Sequence, residues 1–275
     1  MNKILTLYDI EFKRVKKAYF SILGLLILSN IVLIINMLHN VAEEIGKILN
    51  VKGTISLLRH SEAYNIIESG TRVFDTYSIT YLIMNLAIIW CLYYAFYIWY
   101  RDFYGKTKSI YTLFMLPYNR FNIYLSKLIT TISLIYGVII TQYLLWIIQM
   151  FIIKGFTQIS ASSFIDIINY NSLNTSLLLD VSIYPVEFII AYLLTPIILV
   201  ILIFTAIMIH KSLNRFGGIL GIAYVIITGL IFGYTYSYDF MYSDEKLIFL
   251  LGFYSIVTLV SITISYILIN KKMHI

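Results

Sequence analysis

The chain has few charges, prolines and cysteines for its length, and each shortage excludes a class of protein. Only 12% of the 275 residues are Asp, Glu, Lys or Arg, whereas 60% are hydrophobic. A soluble globular domain has about 25% charged residues, so the composition argues against an ordinary water-soluble fold. Three prolines and 13 glycines exclude a Pro- or Gly-driven disordered architecture. The single cysteine, Cys91, cannot form an intrachain disulfide, and we expect it to pack within an apolar segment.

The sequence also lacks the short motifs that would give it chemistry of its own. It has no Gly-x4-Gly-Lys-Ser/Thr phosphate-binding loop, no His-Glu-x-x-His zinc motif and no Gly-x-Ser-x-Gly nucleophile motif. The four histidines are scattered along the chain. We therefore predict a protein that is not an enzyme, with no catalytic residues, no metal site and no nucleic-acid partner.

Long apolar blocks dominate what the sequence does contain, and the mean hydropathy of the chain is +0.85. A block of about 20 apolar residues crosses roughly 30 Å of hydrocarbon as a helix, whereas the strands of a membrane barrel alternate apolar and polar residues. We predict an all-α integral membrane protein, with residues 1–275 forming a single transmembrane domain. The six predicted spans are approximately 20–39, 79–100, 125–152, 185–209, 218–236 and 247–270.

The Lys and Arg residues predict which side of the membrane holds the termini. With six spans both termini lie on one side, and fourteen of the 20 Lys and Arg residues fall there. Cytoplasmic segments carry such an excess, so we predict cytoplasmic termini. Frequent Ile, Tyr, Asn and Lys suggest an AT-rich bacterial genome, and hence a bacterial plasma or inner membrane.

Residues 1–19, before the first span, are predicted to form an amphipathic helix that lies flat in the headgroup layer. A basic amphipathic helix beside a span places its cations on anionic lipid. The alternative is a basic tail that only sets the topology. The apolar side chains at helical spacing are Leu5, Tyr8, Phe12, Val15 and Tyr19, and the cations largely off that stripe are Lys13, Lys16 and Lys17.

Ionisable residues within the spans would mark an ion or proton path, and the six blocks contain almost none. Glu187 follows Pro185 at the start of the fourth span, and we interpret it as a helix-capping acid.

Uncharged polar and aromatic side chains in the spans have two interpretations. Asn30 and Asn85 either join helices by hydrogen bonds, which we favour, or line a path. Tyr93 and Tyr97 either belong to an interfacial aromatic belt, which we favour, or line a path for an apolar cargo.

The segment 101–124, between the second and third spans, is the most informative part of the sequence. Residues 107–116 can form a short helix that Pro117 ends, and Ile110, Leu113 and Phe114 share one of its faces. Asp102 and Lys106 have the spacing of an i, i+4 ion pair. A short amphipathic helix at the cytoplasmic ends of two spans presents apolar side chains that no lipid covers, so it predicts a docking element.

This segment resembles the permease subunits of type-2 ABC exporters, a group that includes exporters of antimicrobial and amphipathic peptides. That family shows an acidic residue, Gly/Lys-Thr, a Leu-rich helix, Leu-Pro-x-Ser/Asn-Arg and a lysine near the start of the third span. Position 102 is Asp where Glu is commoner, and Asn119 stands where Ser is frequent. The matching residues are Asp102, Lys106, Thr107, Leu113, Leu116, Pro117, Arg120 and Lys127.

The resemblance implies a permease without an ATPase site of its own. Two permeases would pair, as a homodimer or a paralogous heterodimer, and each would dock a separate ATPase subunit that binds ATP and Mg. Residues 103–118 would be the coupling helix in a groove of that subunit, and residues 1–19 the interfacial elbow helix. We expect export of an amphipathic or hydrophobic cargo, either a peptide or a lipid-like molecule.

Two other functions share the composition of this chain. An ion-coupled secondary transporter would need buried charges or an internal repeat, neither of which we find in the sequence. A membrane immunity or assembly protein that moves no cargo would have no reason to keep the 101–124 segment. The sequence does not identify the cargo, nor does it tell whether the outer segments 40–78 and 153–184 bind it.

Overall fold

The computed structural model describes residues 3–53, 58, 71–104, 119–156, 193–212, 216–236 and 243–272. Within these residues all regular secondary structure is helical. A short π-helical turn, Leu268–Lys272, follows the last α-helix. The six α-helices are α1 (Lys3–Leu49), α2 (Thr71–Tyr104), α3 (Arg120–Phe156), α4 (Thr195–Ser212), α5 (Gly217–Tyr236) and α6 (Ser243–Ile267).

Each of the six helices contains a segment long and apolar enough to cross a membrane. These segments overlap the six predicted spans one for one, so the prediction of a multi-pass helical membrane protein is confirmed. The described part of the fourth span begins later than predicted, and Pro185 and Glu187 lie outside the described residues. The segments are Ile4–Leu49, Thr76–Tyr104, Arg120–Phe156, Thr195–Ser212, Gly217–Tyr234 and Ile248–Asn270.

Helix α1 continues without a break through the point at which the first span was predicted to begin. The first glycine of the chain is Gly24 and no proline precedes it, so nothing in residues 3–23 interrupts the helical hydrogen bonds. A separate interfacial helix over residues 1–19 is therefore not confirmed. Leu7, Glu11 and Val15 are buried, whereas Leu5 is exposed.

The same helix also extends into the predicted outer segment 40–78 and ends in a left-handed cap. Asn50 has a φ of 52°, a conformation that asparagine tolerates better than most residues. The N–H of Val51 then donates to the carbonyl of Gly46 at 2.9 Å, which satisfies a carbonyl of the last turn. Residues 40–49 of this segment are therefore helical.

The chain packs as two compact units. One consists of Met1–Lys16, Ile89–Tyr136 and Val186–Ile275, and the other of Lys17–Ile88 and Gly137–Pro185. In the second unit, α1, α2 and α3 share an apolar core in which the ring of Tyr77 meets that of Trp146 edge-on at 6.4 Å. In the first unit α4 is largely buried, and Ile198 and Leu202 pack with residues of α6.

Candidate functional site

The two ends of the predicted coupling segment are joined by a buried ion pair. Asp102 lies in the last turn of α2, and Lys127 lies in the second turn of α3. The ammonium of Lys127 donates to Oδ2 of Asp102. The side chains of Asp102 and Lys127 are 0% and 1% exposed, so this is an ion pair shielded from water.

Glu11 of α1 completes the cluster. Its Oε1 accepts a hydrogen bond from Lys127 Nζ at 3.1 Å, and its Oε2 accepts one from Arg101 Nη2 at 2.7 Å. The Glu11 side chain is only 5% exposed. A buried carboxylate needs such partners because the transfer of an unpaired charge out of water is very unfavourable. The cluster therefore joins α1, α2 and α3 where α2 ends and α3 begins.

Two arginines form the more solvent-exposed side of the cluster. Arg14 Nη1 lies 3.4 Å from Glu11 Oε1 and 3.9 Å from Asp102 Oδ1. Arg101 Nε lies 3.6 Å from Asp102 Oδ1. Their side chains are 40% and 25% exposed, so water screens them more than it screens Lys127. Counting formal charges, the cluster has one more cation than carboxylate.

Aromatic packing connects the cluster to α4 within the same unit. The ammonium of Lys127 lies 5.0 Å from the ring centroid of Trp99. Trp99 meets Phe204 of α4 edge-on at 5.6 Å, and Tyr124 of α3 meets the same ring at 5.6 Å. All three aromatic side chains are buried. A displacement of the ion cluster would therefore also shift α4, because the aromatic rings between them are in contact.

The residues after the coupling segment show why α3 begins where it does. Oδ1 of Asn119 accepts a hydrogen bond from the backbone N–H of Phe121 at 3.1 Å, which caps the free N–H groups of the first turn. Asn119 is thus the N-cap of α3, and Arg120 is the first residue of the helix. The other predicted coupling residues lie outside the described residues; they are Lys106, Thr107, Ile110, Leu113, Phe114, Leu116 and Pro117.

Glu11 is the member of the cluster that the sequence patterns above do not predict. The sequence signal for it is the i, i+4 spacing of Leu7, Glu11 and Val15, which puts all three on one helix face. In the structure all three are buried. An acidic residue on an otherwise apolar helix face indicates a buried basic partner. The partners, Arg101 and Lys127, are far away in sequence, and only the fold brings them to Glu11.

The side chains proposed to line a path lie in different environments. Asn30 is buried, Asn85 is half-buried, and Tyr93 and Tyr97 are exposed, with ring centroids 6.5 Å apart. Exposed tyrosines on an apolar helix fit an interfacial belt as well as a path.

Asn30 holds α1 to α3 inside the second unit. Its amide and that of Gln142 exchange two hydrogen bonds, each 3.0 Å long. Gln149 Nε2 also donates to Asn30 Oδ1 at 3.1 Å. All three amides are buried. The interpretation of Asn30 as a residue that joins helices therefore agrees with its geometry.

Replacing Asn30 with leucine should lower the stability of the purified protein by about 1–3 kcal/mol, because Gln142 and Gln149 would be left buried without this partner. The measurement is the apparent melting temperature in detergent. The control is Asn85→Leu, the same change at a half-buried residue for which the described part of the chain shows no hydrogen bond. Equal melting temperatures for the two variants would contradict the role of Asn30.

Comparisons with protein-family models, with curated proteins and with solved structures give no match for this chain.

Proposed function

We propose that this protein is the permease subunit of an ATP-binding cassette exporter. In this proposal it forms the translocation path for an amphipathic or hydrophobic cargo and is driven by a separate ATPase subunit. The observation that supports it best is the buried cluster of Glu11, Asp102 and Lys127, which clamps both ends of the segment that resembles a coupling helix. A docking element transmits force only if its ends are firmly attached to the helices that it must move.

The clamp has the properties that such an attachment needs. A buried ion pair is strongly destabilised when one partner is removed, so the ends of the segment resist separation. The same charges link α2 and α3 to α1, and Trp99 continues the contact to α4 through Phe204. A partner that pushes on residues 103–118 would thus shift several helices of this unit at once.

The position of the charges favours this proposal over ion-coupled transport. A proton or cation path needs ionisable groups in the middle of the spans. Asp102 is in the last turn of α2, and Lys127 is near the start of α3, so both lie near helix ends. The remaining candidate path residues, Asn85, Tyr93 and Tyr97, are uncharged, which favours an amphipathic peptide or a lipid-like cargo.

The surrounding assembly follows from the same proposal. Two permeases pair, either as identical or as paralogous chains, and each docks one ATPase subunit, which holds ATP and Mg. The excess of Lys and Arg on the side of the termini supports a cytoplasmic location for residues 1–19 and 101–124, where ATP is available, at a bacterial plasma membrane. Membrane lipid is the remaining partner.

The proposal predicts that the double variant Leu113→Asp/Phe114→Asp loses its ATPase partner. Two carboxylates on the apolar docking face cannot be buried in a groove without a large desolvation penalty. The permease would be co-expressed with a candidate ABC ATPase, and co-purification of the ATPase would be quantified. We expect at least a tenfold loss of bound ATPase, with membrane insertion unchanged.

The matched control is Thr112→Asp, which adds a carboxylate on the opposite face of the same predicted helix. It should keep the partner bound. Undiminished co-purification with the double variant would contradict the assignment of this segment, and failure of any ATPase to co-purify with the unaltered chain would contradict the proposed function.

A further inference from the structure

An apolar groove of about 480 Å³ lies in the first unit between the end of α2, the end of α4 and the start of α5. Its walls are almost wholly apolar, with Tyr100 from α2, Ile207 from α4 and Ile222 from α5 among them. The volume falls within the range of about 300–1,000 Å³ that is usual for sites of small organic ligands. These three helices have the length and composition of membrane spans, so the groove lies near the membrane surface, where the spans end.

Glycines on α5 set the shape of this groove. A Cβ at position 221 would lie 2.6 Å from the backbone oxygen of Ala206, so only glycine allows α5 to approach α4 this closely. A Cβ at position 218 would lie 3.2 Å from Nδ1 of His210, so the lack of a side chain there leaves room for the imidazole. The two glycines therefore fix how close α5 lies to α4, and with it the width of the groove.

The groove has a cation at one end. Lys211 Nζ lies 3.5 Å from the ring centroid of Tyr104 and 5.1 Å from that of Phe103, a cation–π arrangement that holds the ammonium at the groove. The hydroxyl of Tyr104 lies 3.3 Å from Nε2 of His210, which also lines the groove. Within the described residues no carboxylate lies within ion-pair distance of Lys211 Nζ. This cation has the capacity to bind an anion that comes from outside the chain.

The segments that follow α2 and α4 in the sequence carry charge of the same sign. The segments 105–118 and 213–215, which follow α2 and α4, contain Lys106, Lys108 and Arg215 and no acidic residue. A second copy of this chain, with its net charge of +6, would be repelled, and a free inorganic anion would make no use of the apolar walls. A molecule with an apolar chain and an anionic head satisfies both parts of the groove.

We propose that this groove binds an anionic phospholipid, with one acyl chain between α2, α4 and α5 and the headgroup phosphate beside Lys211. Basic pockets between membrane helices bind acidic headgroups in this way, and a single cation near the membrane surface favours anionic lipid by about fivefold. The site is independent of the proposed transport function, because it requires only the groove and its cation.

The test is native mass spectrometry of the purified chain with phosphatidylglycerol or phosphatidylcholine of identical acyl chains. The unaltered protein should bind phosphatidylglycerol about fivefold more tightly, as expected for one cation. Lys211→Gln should abolish this preference, with a larger loss of phosphatidylglycerol binding than of phosphatidylcholine binding, because only phosphatidylglycerol has a net negative headgroup. The matched control is Lys13→Gln, an exposed lysine paired with Asp9 on α1, which should keep the preference.

A second variant tests the apolar part of the groove. Ile222 is exposed, so Ile222→Trp should fold, and its larger side chain should fill the groove and weaken the binding of both lipids. Melting temperatures of all variants would confirm that they are folded. An anionic preference that survives Lys211→Gln, or lipid binding that is unaffected by Ile222→Trp, would overturn the proposal.

Discussion

Replacing Lys127 with methionine should destabilise this protein by about 3–5 kcal/mol, the usual consequence of removing one partner from a buried ion pair. The change would leave the carboxylates of Glu11 and Asp102 buried beside Arg14 and Arg101, which are more exposed to water than Lys127 is. We expect a large fall in the apparent melting temperature in detergent, together with lower yield.

The control for this prediction is Lys154→Met, which makes the same change at an exposed lysine of the same helix. It should leave the melting temperature almost unchanged. The double variant Lys127→Met/Asp102→Asn should be less destabilised than Lys127→Met alone. The second change removes one of the two carboxylates left buried without Lys127, so the effects of the two changes are not additive. If Lys127→Met and Lys154→Met had the same melting temperature, the cluster would not be the clamp described above.

Gly221→Ala should weaken the packing of α5 on α4 by about 1–3 kcal/mol, the usual range for an overpacked contact. The new Cβ would lie 2.6 Å from the backbone oxygen of Ala206, and a backbone atom in the middle of a helix cannot move aside cheaply. We expect a lower melting temperature, measured by loss of soluble monodisperse protein on heating.

Gly229→Ala is the matched control because it is the same substitution on the same helix. In the described structure nothing lies within 4 Å of a Cβ at position 229. Alanine there should be neutral or stabilising by up to about 1 kcal/mol, since it is the better helix former. Equal effects at positions 221 and 229 would show that α5 does not pack on α4 as the structure has it.

The apolar blocks were sufficient to predict the six spans, because a membrane-crossing helix must be apolar over its whole width. They were not sufficient to predict where the helices end. Helix α1 continues to Leu49, beyond the apolar block, because hydrogen bonds within a helix form in water as well as in lipid. Hydropathy therefore predicts the part of a helix that crosses the membrane, but not the residues at which the helix begins and ends.

The candidate site divides in a similar way. Asp102 and Lys127 were recognised from a local pattern in which they lie 25 residues apart. Glu11 lies 116 residues from Lys127, and Asn30 lies 112 residues from Gln142, so no local pattern joins either pair. Such contacts depend on how the helices pack, which a single sequence specifies only through the fold.

The pair formed by Asp102 and Lys127 also has a consequence for chain entropy. It closes the intervening residues into a ring, in the manner of a reversible disulfide. A segment whose ends are already fixed has less conformational freedom to lose when something binds to it. Part of the affinity for any molecule that binds this segment would therefore originate in two side chains that never contact that molecule.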